Sequence, residues 1–331
     1  MKDWSLKWIM ICLLCFLPIA MYLHLMAGQI EISYASFFDS FWNYDANNTT
    51  HVLVREFRIP RLAMALFAGA GLSLSGMLMQ TLFKNPLAGP YVLGINSGAS
   101  LLIALSLMTS IQFFQSNFGL IGTALIGAFA AGLLMMAVAQ RLKSQISLLL
   151  VGLMFGSFTS AIVSILESFA GAESLKSYTM WSMGSLQQVE FGQLGFISLI
   201  FLVGIAASFL LVKPLNMLVI GEKSAALLGL PIKSMRMFVL LLTALFAGLI
   251  TAFCGPIAFV GIAIPNLTRI LFQTSNHRYL IIGNCFIGAI FLLLTDAFIQ
   301  VLEGHISIPL NAITSIIGAP FVVFLLMRKL R

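Results

Sequence analysis

Charge is what this chain has least of. Asp, Glu, Lys and Arg make up 9% of its 331 residues, against 60% hydrophobic residues and a mean hydropathy of +1.02. A soluble domain carries about 25% charged residues, so a chain this poor in charge cannot cover a water-facing surface of its size, and lipid must be its solvent. The apolar/polar alternation in short segments that a lipid-facing β-barrel requires is absent as well. There is no H-E-x-x-H pair, and His24, His51, His277 and His305 are scattered; this argues against an intramembrane metalloenzyme and leaves no metal site and no catalytic residue to name. No G-x-x-x-x-G-K-[ST] loop occurs. Gly221-Glu222-Lys223-Ser224 echoes one only superficially, since a glutamate precedes the lysine and no strand leads into it, so any ATP must be hydrolysed by another chain. Of the four cysteines, Cys12 and Cys15 have metal-like spacing, but no second Cys or His pair completes a site, and Cys254 and Cys285 stand alone; all four read as packing thiols. Ionisable residues deep in the membrane are few, with Asp296 the main one. Ion-coupled carriers usually place acids, histidines or arginines at mid-membrane, so their scarcity counts against an ion-coupled secondary transporter, the alternative class.

What is present is a succession of apolar runs, each long enough to cross about 30 Å of hydrocarbon as a helix that satisfies its own backbone groups. The expected fold is all-α: a polytopic membrane helical bundle of about ten spans, near 8–27, 61–82, 91–109, 118–140, 147–169, 192–212, 235–254, 256–273, 279–300 and 308–327. Short links predict a single domain over 1–331. Residues 8–27, behind Lys2 and Lys7, are long for a signal sequence and lack a clear cleavage site, so they read as an uncleaved first span. With both termini on the cytoplasmic side, the inner ends hold Lys2, Lys7, Lys84, Arg141, Lys143, Lys213, Lys223, Lys233, Arg236, Arg269, Arg278, Arg328, Lys329 and Arg331. The outer ends hold only Arg55, Arg58, Arg61 and Lys176, with most of the acids. This bias sets the orientation. The net charge of +7 therefore reports topology, and nucleic acid is not an expected partner.

Ala65-Leu66-Phe67-Ala68-Gly69 recurs as Ala244-Leu245-Phe246-Ala247-Gly248, with Gly76 and Gly255 following at equal distance. On the expected topology the copies run in opposite directions, as in an inverted repeat, although short matches also arise by chance in Leu-, Ala- and Gly-rich spans. Small residues such as Gly69, Gly71, Ser73 and Gly76 let helix backbones approach. The inner segment from Asn216 to Ile232 holds a short amphipathic helix over Glu222 to Leu228 closed by Gly229, whose Leu227, Leu228 and Leu230 face either the bundle or a partner.

Several motifs together, in order and at membrane-consistent positions, resemble the permease family of ABC importers for iron-siderophore complexes, haem and vitamin B12. They are R-I-P-R (58–61), N-P-L-A-G-P (85–90), L-G-I-N-S-G-A (93–99), M-W-S-M-G-S-L (180–186), G-E-K-S-A-A-L-L-G (221–229), G-P-I-A-F-V-G-I-A-I-P-N-L-T-R (255–269), T-D-A-F-I-Q (295–300) and I-P-L-N-A-I-T-S-I-I-G-A-P-F (308–321). The resemblance covers nearly the whole chain. It implies a multi-pass subunit of the bacterial inner membrane, without a cofactor. Two permease copies, as a homodimer, would enclose a central pathway. Two cytoplasmic ATP-binding subunits would drive it, and a periplasmic or lipid-anchored substrate-binding protein would deliver a metal chelate, with iron-siderophore first and haem or cobalamin behind it.

Carried over residue by residue, the stretch with Gly221, Glu222, Ala225, Ala226, Leu228 and Gly229 resembles the helix that sits in an ATPase groove. Arg58 and Arg61 resemble outer arginines that pair with glutamates of the binding protein; as interfacial anchors they would simply snorkel to the surface. The pathway resembles one lined by Met154, Ser157, Ser160 and Ser164 of the fifth span and Asn311, Thr314, Ser315 and Gly318 of the tenth, positions that ordinary small-residue packing would also explain. Gln145 and Ile146 fall where the family has its inner gate. Two departures stand out. Gln300 occupies a position where the family carries arginine, so a docking contact is lost or supplied by Arg55. Asn266 replaces the histidine of P-H-x-x-R, and no role of that histidine transfers.

Overall fold

The computed structural model describes residues 2–30, 32–109, 117–142, 144–303, 306 and 308–329. Glu31, Lys143 and Arg331, which carry part of the expected charge pattern, lie outside them, as does His305. The described residues form helices and their connections, with no strand among them. In chain order the helices are α1 (Lys2–Met26), α2 (Tyr34–Trp42), α3 (Thr49–Val52), α4 (Ile59–Phe83), α5 (Ile95–Met108), α6 (Asn117–Arg141), α7 (Gln145–Phe169) and α8 (Ala172–Ser182). They continue with α9 (Leu194–Leu210), α10 (Val212–Ile220), α11 (Glu222–Leu227), α12 (Ile232–Cys254), α13 (Val260–Phe272), α14 (His277–Leu302) and α15 (Leu310–Lys329). Each of the ten expected spans falls on one of these helices. Seven helices among the described residues are long and apolar enough to cross a membrane, and the shorter apolar α5, α13 and α15 account for the other three.

Two spans are shorter than expected, for a local reason in each case. The third begins with a 3-10 turn, Pro90–Leu93, and Gly94 turns the chain at φ +70° before α5 can start. That leaves 14 residues of helix, roughly 21 Å at the usual rise, which is less than the hydrocarbon thickness. The eighth is preceded by Gly255 at φ +71° and by Phe259 in the left-handed region, so α13 begins at Val260. A left-handed non-glycine residue is uncommon and marks a turn held by its surroundings.

The long α4 is the core of the bundle and is mostly buried. Its glycines explain how. A Cβ on Gly69 would fall 2.1 Å from the Gly288 carbonyl oxygen of α14, and one on Gly76 would fall 1.7 Å from that of Gly261 of α13. Only bare backbone allows these crossings, which replace in lipid the hydrophobic drive that water supplies elsewhere. Between the first pair of helices the Ser73 hydroxyl lies 2.7 Å from the Asn284 carbonyl. The echo of this segment, in α12, makes a looser crossing: a Cβ on Gly248 would meet the Ala128 methyl of α6 at 3.2 Å. The pairings match as well. α4 packs on α13 and α14 as α12 packs on α5 and α6, while α5 touches α7 as α13 touches α15. The two copies thus hold corresponding places in two corresponding sets of helices.

Candidate functional site

The polar residues gather at two opposite ends, called outer and inner after the orientation expected from the charge bias. At the outer end a π-turn, Leu53–Arg58, runs straight into α4, whose first turn takes Pro60, a position where the missing N–H costs nothing. The wide turn swings Arg58 inward. Its guanidinium donates to the carbonyls of Leu25 and Ile30, fastening the end of α1, and the residue is only 7% exposed. Arg61, one turn on, grips Asp296 with two hydrogen bonds, 2.7 Å from Nε to Oδ2 and 3.0 Å from Nη2 to Oδ1. It also reaches both oxygens of Glu303, at 2.7 and 3.2 Å. His24 Nε2 lies 2.8 Å from Asp296 Oδ2, and the Gln300 amide donates to the same oxygen at 3.1 Å. Gln187 donates to Glu303 at 2.9 Å. A cavity of about 440 Å³ opens beside the cluster, bounded by Phe57, Arg58, Arg61, Gln187, Gln300 and Glu303.

The three expected docking arginines therefore do not form one open patch. Arg58 is corrected: it is a buried strap whose guanidinium donates to two backbone carbonyls. Arg61 is partly exposed but already bound to two carboxylates. Arg55 stacks its guanidinium over the rings of Tyr44 and Phe191, 4.4 and 4.8 Å from their centroids, and keeps its charge nearest the surface. Gln300, noted as a departure, completes the Asp296 cage. His24, Gln187 and Glu303 were missed, since nothing local to them signals a partner so far along the chain.

At the inner end Gly221, at φ +128°, turns the chain from α10 into α11. Leu230 N–H donates to the Ala225 carbonyl and Gly229 N–H to that of Ala226, both at 3.0 Å, with Gly229 at φ +86°. This is the Schellman closure that a glycine after a helix predicts. Glu222 pairs with Arg236 Nη2 at 2.9 Å, pinning α11 to α12. Ala225 is corrected: it is fully buried and faces the bundle. Ala226, Leu228 and Gly229 face outward, and with them Leu227, 90% exposed, beside Leu228 at 62%. Asn266 donates to the carbonyls of Pro86 and Ile262, each at 2.8 Å, tying α13 to the N-P-L-A-G-P loop.

Along α7, Met154, Ser157, Ser160 and Ser164 share one exposed face. A polar cavity of about 200 Å³ adjoins it, bounded by Asn96, Ser97, Thr159, Ser160 and Tyr178. The α15 candidates divide. Asn311 accepts from Ala258 N–H at 2.7 Å, and its own N–H donates to the Met183 carbonyl at 3.2 Å, so it splints the α13 entry to the end of α8. Ser315 is half-buried. Thr314 and Gly318 are corrected. Thr314 is fully buried and donates back to the Asn311 carbonyl. A Cβ on Gly318 would lie 2.4 Å from Cβ of Phe259, so this glycine is what lets α15 close on the left-handed turn. Ile146 is exposed at the start of α7, while the side chain of Gln145 lies outside the described residues.

The described residues thus form a polytopic helical bundle with polar clusters at its two ends and a weakly polar face along α7. The chain belongs to the FecCD transport family, which matches residues 15–328. It is 30% identical over 305 residues to the hemin transport system permease protein HmuU of Yersinia pestis, covering 91% of this chain and 90% of that one. It is 32% identical over 328 residues to the vitamin B12 import system permease protein BtuC of Shigella boydii, covering 99% and 97%. A solved structure of a metal-chelate type ABC transporter in an inward-facing conformation superposes with a TM-score of 0.85 at 29% identity, covering 97% of this chain and 99% of that one.

Proposed function

We propose that this chain is the permease subunit of a type II ABC importer in a bacterial inner membrane, with both termini cytoplasmic, and that it conducts a metal chelate inward. Two copies face each other through the weakly polar faces of α7, with Asn311 and Ser315 of α15 at their edge. Two ATP-binding subunits seat on α11, and a substrate-binding protein docks at the outer end near Arg55 and Arg61. The substrate class follows relatives named for hemin and vitamin B12; ferric siderophores are the first member to test. Met154, Ser157, Ser160 and Ser164 offer hydroxyls and a flexible thioether without a fixed charge, a lining that lets a bulky complex slide without a deep well.

The observation that carries the reading is the uncovered apolar tip of α11, held rigid by the Glu222–Arg236 pair and a glycine closure, at the end opposite the arginine cluster. The test is reconstitution with a partner ATPase and substrate-binding protein. ATP-dependent uptake of a labelled ferric siderophore, hemin or cobalamin is expected, with none when the ATPase is omitted. Accumulation by the purified chain alone on a proton or sodium gradient would establish the ion-coupled alternative instead.

A further inference from the structure

Arg269 stands in the last turn of α13 with a guanidinium that has five donors and donates to one side chain, the Thr81 hydroxyl at 3.0 Å. No carboxylate pairs with it among the described residues. Arg58, Arg61 and Arg236 are each answered by carbonyls or carboxylates. The frame around Arg269 is nonetheless rigid. Asn216 Oδ1 accepts from the His277 N–H at 2.9 Å and from its ring Nδ1 at 2.8 Å. The proton of His277 is thereby assigned to Nδ1, which leaves Nε2 to accept from Thr81, 3.0 Å away. The Thr81 hydroxyl, which also lies 2.9 Å from the Met77 carbonyl, turns a lone pair to Arg269. Four helices, α10, α14, α4 and α13, thus aim one under-used cation at a fixed point.

That point is a cleft of about 290 Å³, bounded by Gln80, Lys84, Asn85, Leu218, Val219 and Arg269. It contains two cations and no acid. The carbonyl ends of α4 and α13 oppose an anion there, but each contributes only about half an elementary charge, less than the full charges of Lys84 and Arg269. Leu218 and Val219 form its apolar side, Val219 is exposed, and Ile220, next in the chain, is exposed as well. Lys84 caps a membrane-length helix, so the cleft lies at headgroup depth on the side that the charge bias assigns to the cytoplasm.

We propose that this cleft is a phosphate-binding site and that it takes the headgroup of an anionic phospholipid from the inner leaflet, with Arg269 and Lys84 on the phosphate oxygens and the Leu218–Val219 side against the glycerol and first acyl carbons. Basic clefts between helices at this depth suit anionic headgroups. A lipid seated there would brace α10, and through Gly221 the exposed tip of α11.

The experiment uses the full chain in nanodiscs of phosphatidylcholine and phosphatidylglycerol at about four to one, released and weighed by native mass spectrometry. The wild type should retain phosphatidylglycerol. Arg269→Gln and Lys84→Asn, the latter tolerant of the left-handed backbone at that position, should each retain about five-fold less, and their pair less still. The exposed control Lys176→Gln, in α8 at the other end, should retain as much as wild type. If Arg269→Gln does not fold, Lys84→Asn carries the test. A second arm adds inorganic phosphate to discs of phosphatidylcholine alone. A thermal shift there that depends on Arg269, without retention of phosphatidylglycerol in the first arm, would overturn the lipid in favour of free phosphate. Equal retention by all variants overturns the site.

Discussion

The two ends of this molecule treat charge in opposite ways. At the outer end the arginines are answered within the chain: Arg58 by two carbonyls, Arg61 by Asp296 and Glu303, and Arg55 by two aromatic faces. At the inner end the ion pair of Glu222 with Arg236 is partly open to solvent, Arg269 donates to the Thr81 hydroxyl, and Leu227 and Leu228 lie bare. Losing one partner of a buried pair costs about 3–5 kcal/mol, because the other charge is left uncompensated, whereas an exposed pair is worth about 0–1 kcal/mol. The outer end is a frame that its own electrostatics hold shut. The inner end leaves its apolar and cationic surface for others to fill.

That contrast can be broken at its strongest point. Asp296→Ala strands Arg61 and His24 together and should cost about 3–5 kcal/mol, read as a drop in unfolding midpoint in detergent. A loss no larger than that of Glu222→Ala would erase the distinction between the ends. Next, Leu227→Asp combined with Leu228→Asp should leave the unfolding midpoint in place and reduce co-purification of the ATPase by about ten-fold or more. A midpoint that falls with it would mean that the tip packs on the bundle after all. Arg58→Lys keeps the charge but cannot reach both carbonyls with one fork; it should lose about 1–2 kcal/mol, detectable in the same assay and accompanied by faster proteolysis at the α1–α2 connection. Smallest of all, Glu222→Gln should stay within about 1 kcal/mol of wild type while weakening ATPase stimulation, since the pair orients α11 more than it stabilises the fold.

Much of this was legible in the residues. Ten apolar runs gave ten helices, and Gly229 marked the end of α11. Motif order led to the family. What could not be read was rotation. Ala225 lies in α11 and Leu228 caps it three positions on, yet one is buried and the other open, because a six-residue helix is turned by what it docks on rather than by its own pattern. Thr314 and Gly318 looked like a weakly polar lining, but small residues serve equally where a neighbour must come close: Phe259 closes on Gly318, and Thr314 turns back to the Asn311 carbonyl. Arg58 and Arg61 sit in one motif with opposite fates, since the π-turn before α4 carries one inward and leaves the other facing Glu303.

By itself the sequence determined the solvent and the helicity, since these depend on composition and on the period of a helix. Only the tertiary structure decided which charges are spent and which are spare. Arg61 meets Asp296 across 235 positions of sequence and Arg269 meets Thr81 across 188, and an electrostatic bond falls off with distance in space, which the order of residues does not record.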